Sequence, residues 1–221
     1  MVGAACMMRV DPDLTFERRF WRTGSTHVAG LDEAGRGALA GPIAVGAVIL
    51  PPAHYRSPCA ASRPSRRLLR GVRDSKQMTP AQRESAAERI KAHALAWCVG
   101  FASSEEIDAE GIVMAGRLAA MRALEGLTVY PEVLLTDFRL ELPELDIPQT
   151  SLVKGDSCCM SIAAASVLAK TARDAMMREM DLQIPGYGLA QHKGYGTRMH
   201  RLAIRRMGRS AVHRQTFSVG S

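Results

Sequence analysis

The stretch at residues 28–50 constrains the fold of this chain most strongly, because it joins two apolar runs through a charged, glycine-rich turn. The first run leads directly into the adjacent acids Asp32 and Glu33, and the sequence Gly-Arg-Gly follows at 35–37. Carboxylate oxygens are the ligands that Mg²⁺ and Mn²⁺ prefer, whereas glycine amides and an arginine suit a phosphodiester. The stretch therefore indicates a strand that delivers two carboxylates to a turn suited to metal and phosphate.

Two other interpretations of this stretch stay open. A dinucleotide-binding fingerprint has the spacing G-x-G-x-x-G and opens a helix. Here the glycines are at 35, 37 and 41, and Pro42 precedes a run rich in β-branched residues. A hairpin that carries a solvated Asp-Glu pair explains the same residues equally well, so the rest of the chain has to distinguish these interpretations.

Length and composition limit the architecture and the class of partner. With 221 residues, 47% of them hydrophobic, the chain can build one sizeable core, and we expect a lead-in at 1–27 and one domain at 28–221. No apolar run reaches the roughly 20 residues of a membrane span, so no membrane partner is expected. A net charge of +7 favours a polyanionic partner such as nucleic acid, although a merely basic protein fits the charge equally well.

The cysteines and the N-terminus bear on the cellular compartment. The five cysteines are an odd number, and no C-x-x-C pair suggests zinc. The first residues carry acids early and lack the long apolar core of a signal peptide. Reduced thiols in a cytoplasmic protein are therefore expected.

Hydrophobic patterning predicts alternating strands and helices, which is typical of an α/β protein. Thr79 can cap a helix that has Pro80 at its first position and Gln82 to complete a capping box. An arginine-rich loop is expected at 51–73. The predicted strands are 28–32, 42–50, 97–102, 132–138 and 147–153, and the predicted helices are a short one within 1–27, 79–95, a region from 103 or 104, 157–180, and 197–207.

Four acids stand at predicted strand ends or at a helix start: Asp32, Glu33, Asp137 and Asp156. If the strands that carry Asp32 and Asp137 are parallel neighbours, the two side chains lie side by side at the carboxyl edge of the sheet. Gathered carboxylates repel, so a divalent cation is the natural way to neutralise them. Taken singly, each acid is explained as a solvated residue, and Asp156 as an ordinary N-cap.

Seven segments carry a resemblance to a known family, in that family's order and over nearly the whole chain. The chain resembles the type 2 ribonucleases H, and specifically bacterial ribonuclease HII. DEAGRG, AAASVLAK and HKGYGT make the most specific combination. The matching segments are GLDEAGRGALAGP (30–42), DSKQMTPAQRE (74–84), EEIDAEGI (105–112), LLTDF (134–138), KGDSCCMSIAAASVLAKTARD (154–174), HKGYGT (192–197) and VHRQTF (212–217).

This resemblance implies an RNase H-like fold, with a five-stranded mixed sheet flanked by helices and a helical C-terminal part. It implies an endonuclease that cuts the RNA strand of RNA–DNA hybrids and cuts 5′ to single ribonucleotides in duplex DNA. We expect the protein to act as a monomer. Two divalent ions, Mg²⁺ or Mn²⁺, would take part. The family's metal-binding and catalytic acids fall on Asp32, Glu33, Asp137 and Asp156.

The resemblance also implies residues that bind substrate. The ribose-sensing turn falls on Gly35, Arg36 and Gly37, phosphate-holding residues fall on Ser75 and Lys76, and the junction-sensing tyrosine falls on Tyr195. A 2′-hydroxyl both donates and accepts hydrogen bonds, and glycine lets the main chain approach it closely. Tyr195 is alternatively an ordinary half-buried loop residue. His192, His200 and His213 are given no chemistry, because a lone histidine is more often structural.

Three interpretations of function follow. The first is a metal-dependent ribonuclease HII. The second is another two-metal nuclease of the same fold, such as a junction resolvase, which would not need a ribose. The third is a non-catalytic module that binds hybrids, although simple binding would not require four gathered acids. The arginine-rich stretch before Asp74 is longer than the family usually has, and Cys158-Cys159 lies where the family varies.

Overall fold

The fold is that of a computed structural model, which describes residues 11–52, 69, 71–72, 75–137 and 140–220. The arginine-rich loop predicted at 51–73 lies almost entirely outside the described residues. Short 3₁₀ turns lie at Ser75–Gln77 and Gly155–Ser157. The strands are β1 Val28–Ala34, β2 Ile43–Ile49, β3 Ala96–Ala102, β4 Val133–Asp137 and β5 Gln149–Leu152, and the helices are α1 Thr15–Arg22, α2 Pro80–His93, α3 Ser104–Glu125, α4 Met160–Gln183, α5 Leu189–His192 and α6 Arg198–Met207.

The five strands form one mixed sheet in the order β3-β2-β1-β4-β5. The β1–β2 and β2–β3 pairs are antiparallel, whereas β1–β4 and β4–β5 are parallel. In the parallel β1–β4 pair Leu31 lies opposite Thr136, so the next position along each strand brings Asp32 beside Asp137. The predicted five-stranded mixed sheet is confirmed, and β1 and β4 are the parallel neighbours that a grouping of Asp32 with Asp137 requires.

Several predicted boundaries were wrong by a few residues, and two of the shifts matter for the site. β1 was expected to end at Asp32, but it continues to Ala34 because Glu33 and Ala34 still pair with β2. The long helix was expected from Ser157, but it begins at Met160 with Cys159 as its N-cap residue. Asp156 lies in the preceding 3₁₀ turn, so its interpretation as an N-cap of this helix was wrong.

Two helices sandwich the sheet at close range. α4 packs against β1 and β2, where a Cβ at Gly30 would overlap the main chain of Ser161 and one at Gly46 would overlap the carbonyl of Ala165. α3 covers the other face through the small residues Ala115, Ala119, Ala120 and Ala123. Small side chains let both helices sit directly on the strands, so the inward residues of α4 reach the acids of β1.

The C-terminal part packs against the chain segment that follows the Gly-Arg-Gly turn. A separate apolar cluster joins Leu39 and Met177 to residues of the C-terminal part, among them Tyr187 and Ile204. The last helix was predicted at 197–207; α6 begins one residue later, at Arg198, with the Thr197 hydroxyl as its cap, and ends at Met207 as predicted. Within the described ranges, no helix combines the length and apolar character that crossing a membrane requires.

Candidate active site

Asp32 is the centre of the candidate site. It lies near the end of β1, faces α4, and only 6% of its surface is exposed. Its carboxylate is hydrogen bonded to Ser166 of α4 and accepts the N–H of Glu33 at 2.8 Å. The pKa of Asp32 is raised to about 8, chiefly by burial; the negative charges of Asp137 and Asp156 also raise it, whereas the hydrogen bonds from Ser166 and from the N–H of Glu33 lower it. Three carboxylates are thus brought into mutual electrostatic contact.

Asp137 and Asp156 reach Asp32 from two different elements. Asp137 ends β4, and its Oδ1 accepts the N–H of Gly155 at 2.9 Å. That hydrogen bond ties β4 to the 3₁₀ turn that carries Asp156. Asp156 is 7% exposed and its Oδ2 lies 3.6 Å from Nζ of Lys76. The edge of the sheet and the turn before α4 therefore place these acids together.

Glu33 points to a different partner. Its Oε1 lies 3.1 Å from a guanidinium nitrogen of Arg36, three residues along the chain. Among the described residues, no three His, Cys, Asp or Glu side chains form a group that could hold a metal ion as they stand. Glu33 and Asp156 instead contact the cations Arg36 and Lys76.

The four acids fit divalent metal by their chemistry. All their donors are carboxylate oxygens, which suit hard cations such as Mg²⁺ and Mn²⁺. Asp32 is buried near the negative charges of Asp137 and Asp156, and a bound cation would neutralise that local negative charge. The guanidinium of Arg36 contacts the Glu33 carboxylate, and the ammonium of the largely exposed Lys76 approaches the Asp156 carboxylate.

Ser75 and Lys76 lie beside the acids on the 3₁₀ turn that precedes α2. The Ser75 hydroxyl is buried and lies 3.0 Å from the hydroxyl of Ser166, which also bonds Asp32. Lys76 has a largely exposed side chain whose ammonium approaches Asp156. One residue thus contacts the internal hydrogen-bond network, and the other presents a positive charge at the rim of the site.

The Gly-Arg-Gly turn begins directly after β1 ends. Gly35 has φ +93°, and a Cβ there would overlap the guanidinium of Arg173. Gly37, in contrast, has open space around its Cα, and a Cβ at this residue would meet no atom within 4 Å. The first glycine is therefore required by the protein's own packing. The second leaves an accessible main-chain surface beside the acids.

Tyr195 lies in the segment between α5 and α6 and is half-buried. Its main chain bridges to Ala38, just after the Gly-Arg-Gly turn. Its ring centroid lies 5.3 Å from Nζ of Lys170 and 5.4 Å from Cζ of Arg173. Because Arg173 also fills the space beside Gly35, the structure brings Tyr195 and the glycine turn to one arginine.

Sequence reasoning missed two buried arginines that organise this region. Arg173 donates to the carbonyls of Ala40, Pro42 and Lys193 at 2.8 to 3.1 Å. Arg214 donates to the carbonyls of Gly35, Arg36 and Gly41 at the same range of distances, 2.8 to 3.1 Å. A signal for Arg173 was present, because it shares a helical stripe with the buried residues Ile162, Ala169 and Met177. No such periodicity marks Arg214.

Known proteins are similar in sequence to this chain over most of its length. Residues 29–219 match the family described as Ribonuclease HII. A Ribonuclease HII of Moorella thermoacetica is 48% identical over 209 residues, which are 95% of each protein. One from Myxococcus xanthus is 48% identical over 206 residues, 93% of this chain and 66% of that protein. The chain belongs to the ribonuclease HII family. Membership places it among the ribonuclease H hydrolases, endonucleases that act on RNA–DNA hybrids.

Solved structures agree with this assignment at the level of the fold. Ribonuclease H2 from Pyrococcus horikoshii is 23% identical and superposes with a TM-score of 0.64, covering 87% of this chain and 94% of that one. Bst-RNase HIII, solved in complex with Mn²⁺, is 20% identical with a TM-score of 0.61, covering 89% of this chain and 68% of that one. The predicted RNase H-like fold is confirmed.

Proposed function

We propose that this member of the ribonuclease HII family cuts the RNA strand of RNA–DNA hybrids and also cuts on the 5′ side of a single ribonucleotide in duplex DNA. The observation that carries the proposal is the grouping of Asp137 and Asp156 around buried Asp32, directly ahead of the Gly-Arg-Gly turn. A nucleotide held by that turn would present its phosphodiester to the acids. We further propose that the domain at 28–221 acts as a monomer.

Asp32, Glu33, Asp137 and Asp156 would hold two divalent cations, Mg²⁺ or Mn²⁺. Two such ions, when bound, activate a water and stabilise the leaving oxygen of a phosphodiester. Bst-RNase HIII, which shares the fold, was solved in complex with Mn²⁺, and this supports the choice of a hard cation.

Arg36 and Lys76 would bind the substrate's phosphates. In the free protein they lie against Glu33 and Asp156 at 3.1 and 3.6 Å. With substrate bound, both side chains would turn to the phosphates that flank the scissile bond. Ser75 would hold the hydroxyl of Ser166 in place, and through it the Asp32 carboxylate.

The glycine turn and Tyr195 would select the bond that is cut. The open main chain at Gly37 can approach a 2′-hydroxyl, which is the group that separates RNA from DNA. Tyr195 reaches the same neighbourhood from the C-terminal part through its bridge to Ala38, and its ring can stack on the sugar or base of that nucleotide. One ribose would be sufficient for recognition by this pair of elements.

Three labelled duplexes test the proposal: all DNA, a continuous RNA–DNA hybrid, and DNA with one ribonucleotide. We expect cleavage of the last two, on the 5′ side of the ribonucleotide, and no cleavage of the first. Chelator should stop both reactions, and Mg²⁺ or Mn²⁺ should restore them. Cleavage of all-DNA junctions with no response to ribose would favour a resolvase instead, and tight hybrid binding without cleavage would favour the non-catalytic module.

A further inference from the structure

Three histidine rings are packed together inside the C-terminal part. The rings of His192 and His200 stack with centroids 4.2 Å apart, and Nε2 of His200 lies 3.1 Å from Nε2 of His213. His200 and His213 are almost completely buried, at 0% and 1% exposure. We call these three side chains the imidazole chain.

The hydrogen bonds of the imidazole chain assign a proton to each ring. Nδ1 of His200 lies 3.1 Å from the carbonyl of Tyr195, and because a carbonyl only accepts, Nδ1 carries the hydrogen. Nε2 of neutral His200 is then an acceptor, so Nε2 of His213 donates to it. Nδ1 of His213 is left as the acceptor for the N–H and the hydroxyl of Ser210, at 3.0 and 2.8 Å.

His192 has an equally definite tautomer. Its Nε2 lies 2.8 Å from the carbonyl of Tyr187 and must donate, and its Nδ1 accepts the N–H of Gly194 at 3.2 Å. All three rings are therefore satisfied only when neutral. A second proton on any ring would point at an N–H or O–H donor and would break one of these hydrogen bonds. Because an unsatisfied polar group is costly in a buried site, the rings strongly favour the neutral state.

Burial and neighbouring side chains favour the neutral rings of His200 and His213, although their main-chain hydrogen bonds raise the pKa values and oppose part of this effect. Burial and the neighbouring imidazoles lower the pKa of His200 to about 4. Burial lowers the pKa of His213, and the positive charge of Arg209 lowers it further. The ring of Tyr187 packs against His213 with centroids 4.7 Å apart.

The imidazole chain connects the two loops that grip the segment after the Gly-Arg-Gly turn. On one side Ala38 bridges to Tyr195, and on the other side Ala40 bridges to His213. The side chain of His200 lies between those loops and bonds both, at the Tyr195 carbonyl and at the His213 ring. Moving His200 would therefore change where Tyr195 stands relative to the glycine turn.

We propose that His200 is a positioning residue for Tyr195, and that the ordered imidazole chain fixes the distance between Tyr195 and the ribose-binding turn. The inference rests on the proposed function, since it gives the imidazole chain a role in recognising a single ribonucleotide. Because His200 is completely buried, it is not in a position to contact substrate. It acts through the carbonyl of Tyr195.

Two substitutions at one position separate the two hydrogen bonds of His200. The amide of His200→Asn occupies the place of Nδ1 and can still donate to Tyr195, but it cannot reach His213. The amide of His200→Gln occupies the place of Nε2 and can still bond His213, but it loses Tyr195. The control is His93→Asn, since His93 of α2 also bonds a main-chain carbonyl, that of Arg89 at 2.7 Å, far from this region.

The readout is kcat/KM on DNA with one ribonucleotide, divided by kcat/KM on a continuous hybrid. We expect His200→Gln to lower this ratio about tenfold, because small displacements of a positioning group carry costs of that size. We expect His200→Asn and His93→Asn to leave it within about twofold, which is close to the resolution of such kinetics. The melting temperature of each variant is measured as well. A purely structural loss would lower the melting temperature and would lower kcat/KM equally on both substrates.

A measurement on the unmodified protein tests the imidazole chain even if a variant does not fold. Side-chain ¹⁵N spectra at neutral pH should show the Nδ1–H tautomer at His200 and the Nε2–H tautomer at His192 and His213. Any other tautomer, or a protonated His200, overturns the proposal. Equal ratios in His200→Asn and His200→Gln also overturn it while the wild type remains active. A wild type that cuts neither substrate overturns the proposed function instead.

Discussion

Two regions of the molecule bury charged or titratable groups, and they treat them in opposite ways. At the acid cluster, formed by Asp32, Asp137 and Asp156, like charges approach one another and raise the pKa of the most buried member. In the C-terminal clamp, which we define as Arg173, Arg214 and the imidazole chain, the polar nitrogens of the two arginines and of His200 and His213 have main-chain or histidine partners.

This difference distinguishes a region suited to binding a cation from a region that fixes the position of the main chain. Unsatisfied like charges cost free energy in the free protein, and a cation that binds there recovers that energy. The buried guanidiniums of Arg173 and Arg214 each donate to three main-chain carbonyls, and these hydrogen bonds fix the main chain that they touch. The acid cluster should therefore tolerate neutralisation without unfolding, whereas the clamp should not tolerate loss of its donors.

Neutralising one acid should produce the largest effect on activity. Asp137→Asn keeps the shape of the side chain and an oxygen that can accept the Gly155 N–H. We expect cleavage to fall about a hundredfold to a thousandfold, the range found when one group that stabilises transition-state charge is lost. The free energy of unfolding should stay the same or rise, because a repulsive charge has been removed.

Cleavage assays and denaturant unfolding of the same preparation check both parts. Activity within a few-fold of wild type would mean that Asp137 does not bind the metal. A large loss of stability would mean that Asp137 belongs with the structural groups, and the contrast between the two regions would disappear.

Removing donors from the clamp should produce the largest effect on stability. Arg173→Met takes the hydrogen-bond donor from the carbonyls of Ala40, Pro42 and Lys193. We expect the free energy of unfolding to drop by about 3 kcal/mol, roughly one for each carbonyl left without its partner. Relief of burying a guanidinium offsets part of this cost but does not satisfy the carbonyls.

Arg173→Lys is the matched control, and urea unfolding compares the two variants. It keeps the positive charge, but one ammonium lacks the planar fork that reaches three diverging carbonyls. We expect little rescue. If the lysine variant were as stable as wild type, the charge rather than the donor geometry would hold this region together.

Acid should loosen the clamp through its histidines. His200 has a folded-state pKa of about 4, below its ordinary value of 6.5, so the unfolded chain binds the proton first as the pH falls. The contribution of neutral His200 to the free energy of unfolding is therefore fully present above pH 6.5 and is lost as the pH falls from 6.5 to about 4. The pKa of His213 shifts in the same direction. We expect the contribution of His200 to the free energy of unfolding to be on the order of 2 kcal/mol.

The comparison with His200→Asn isolates the histidine from every other group that titrates. Unfolding free energies of the two proteins, measured from about pH 7.5 to about 4, should converge as the pH falls, because the variant has no proton to take up at this position. A difference that is constant with pH would show that His200 is not buried in its neutral form.

Much of the fold was predictable from the sequence, because it depends on local patterns. The apolar runs indicated all five strands, and the capping box at Thr79 marked the start of one helix. The parallel pairing of β1 with β4, on which the grouping of Asp32 with Asp137 depends, could only be stated as a condition. Pairing between strands that are far apart in the sequence produces no local sequence pattern from which it could be predicted.

The clamp was the least predictable part, and the reason is physical. Arg173 and Arg214 are buried against main-chain carbonyls, and carbonyls are present at every residue, so no partner side chain reveals them. The histidines stand apart in the sequence, at 192, 200 and 213, and no local pattern groups them. Only the tertiary structure shows that their rings meet.

The smallest effect that we predict distinguishes the two glycines of one turn. A methyl group at position 35 would overlap the side chain of Arg173, and the alanine backbone would have to adopt a φ of +93°. Gly35→Ala should therefore destabilise the folded protein. A methyl group at Gly37 would meet nothing within 4 Å, so Gly37→Ala should leave the free energy of unfolding unchanged within about 0.5 kcal/mol.

Gly37→Ala should nevertheless reduce cleavage, because the open surface at this residue is where a ribose would approach the main chain. We expect kcat/KM to fall about tenfold on DNA with one ribonucleotide, which corresponds to about 1.4 kcal/mol of transition-state binding. The change should appear mainly as a rise in KM, since the methyl group blocks approach without touching the acids. If Gly37→Ala were fully active, the substrate would not contact this turn closely, and the turn's need for glycine would reduce to the packing of Gly35 beside Arg173.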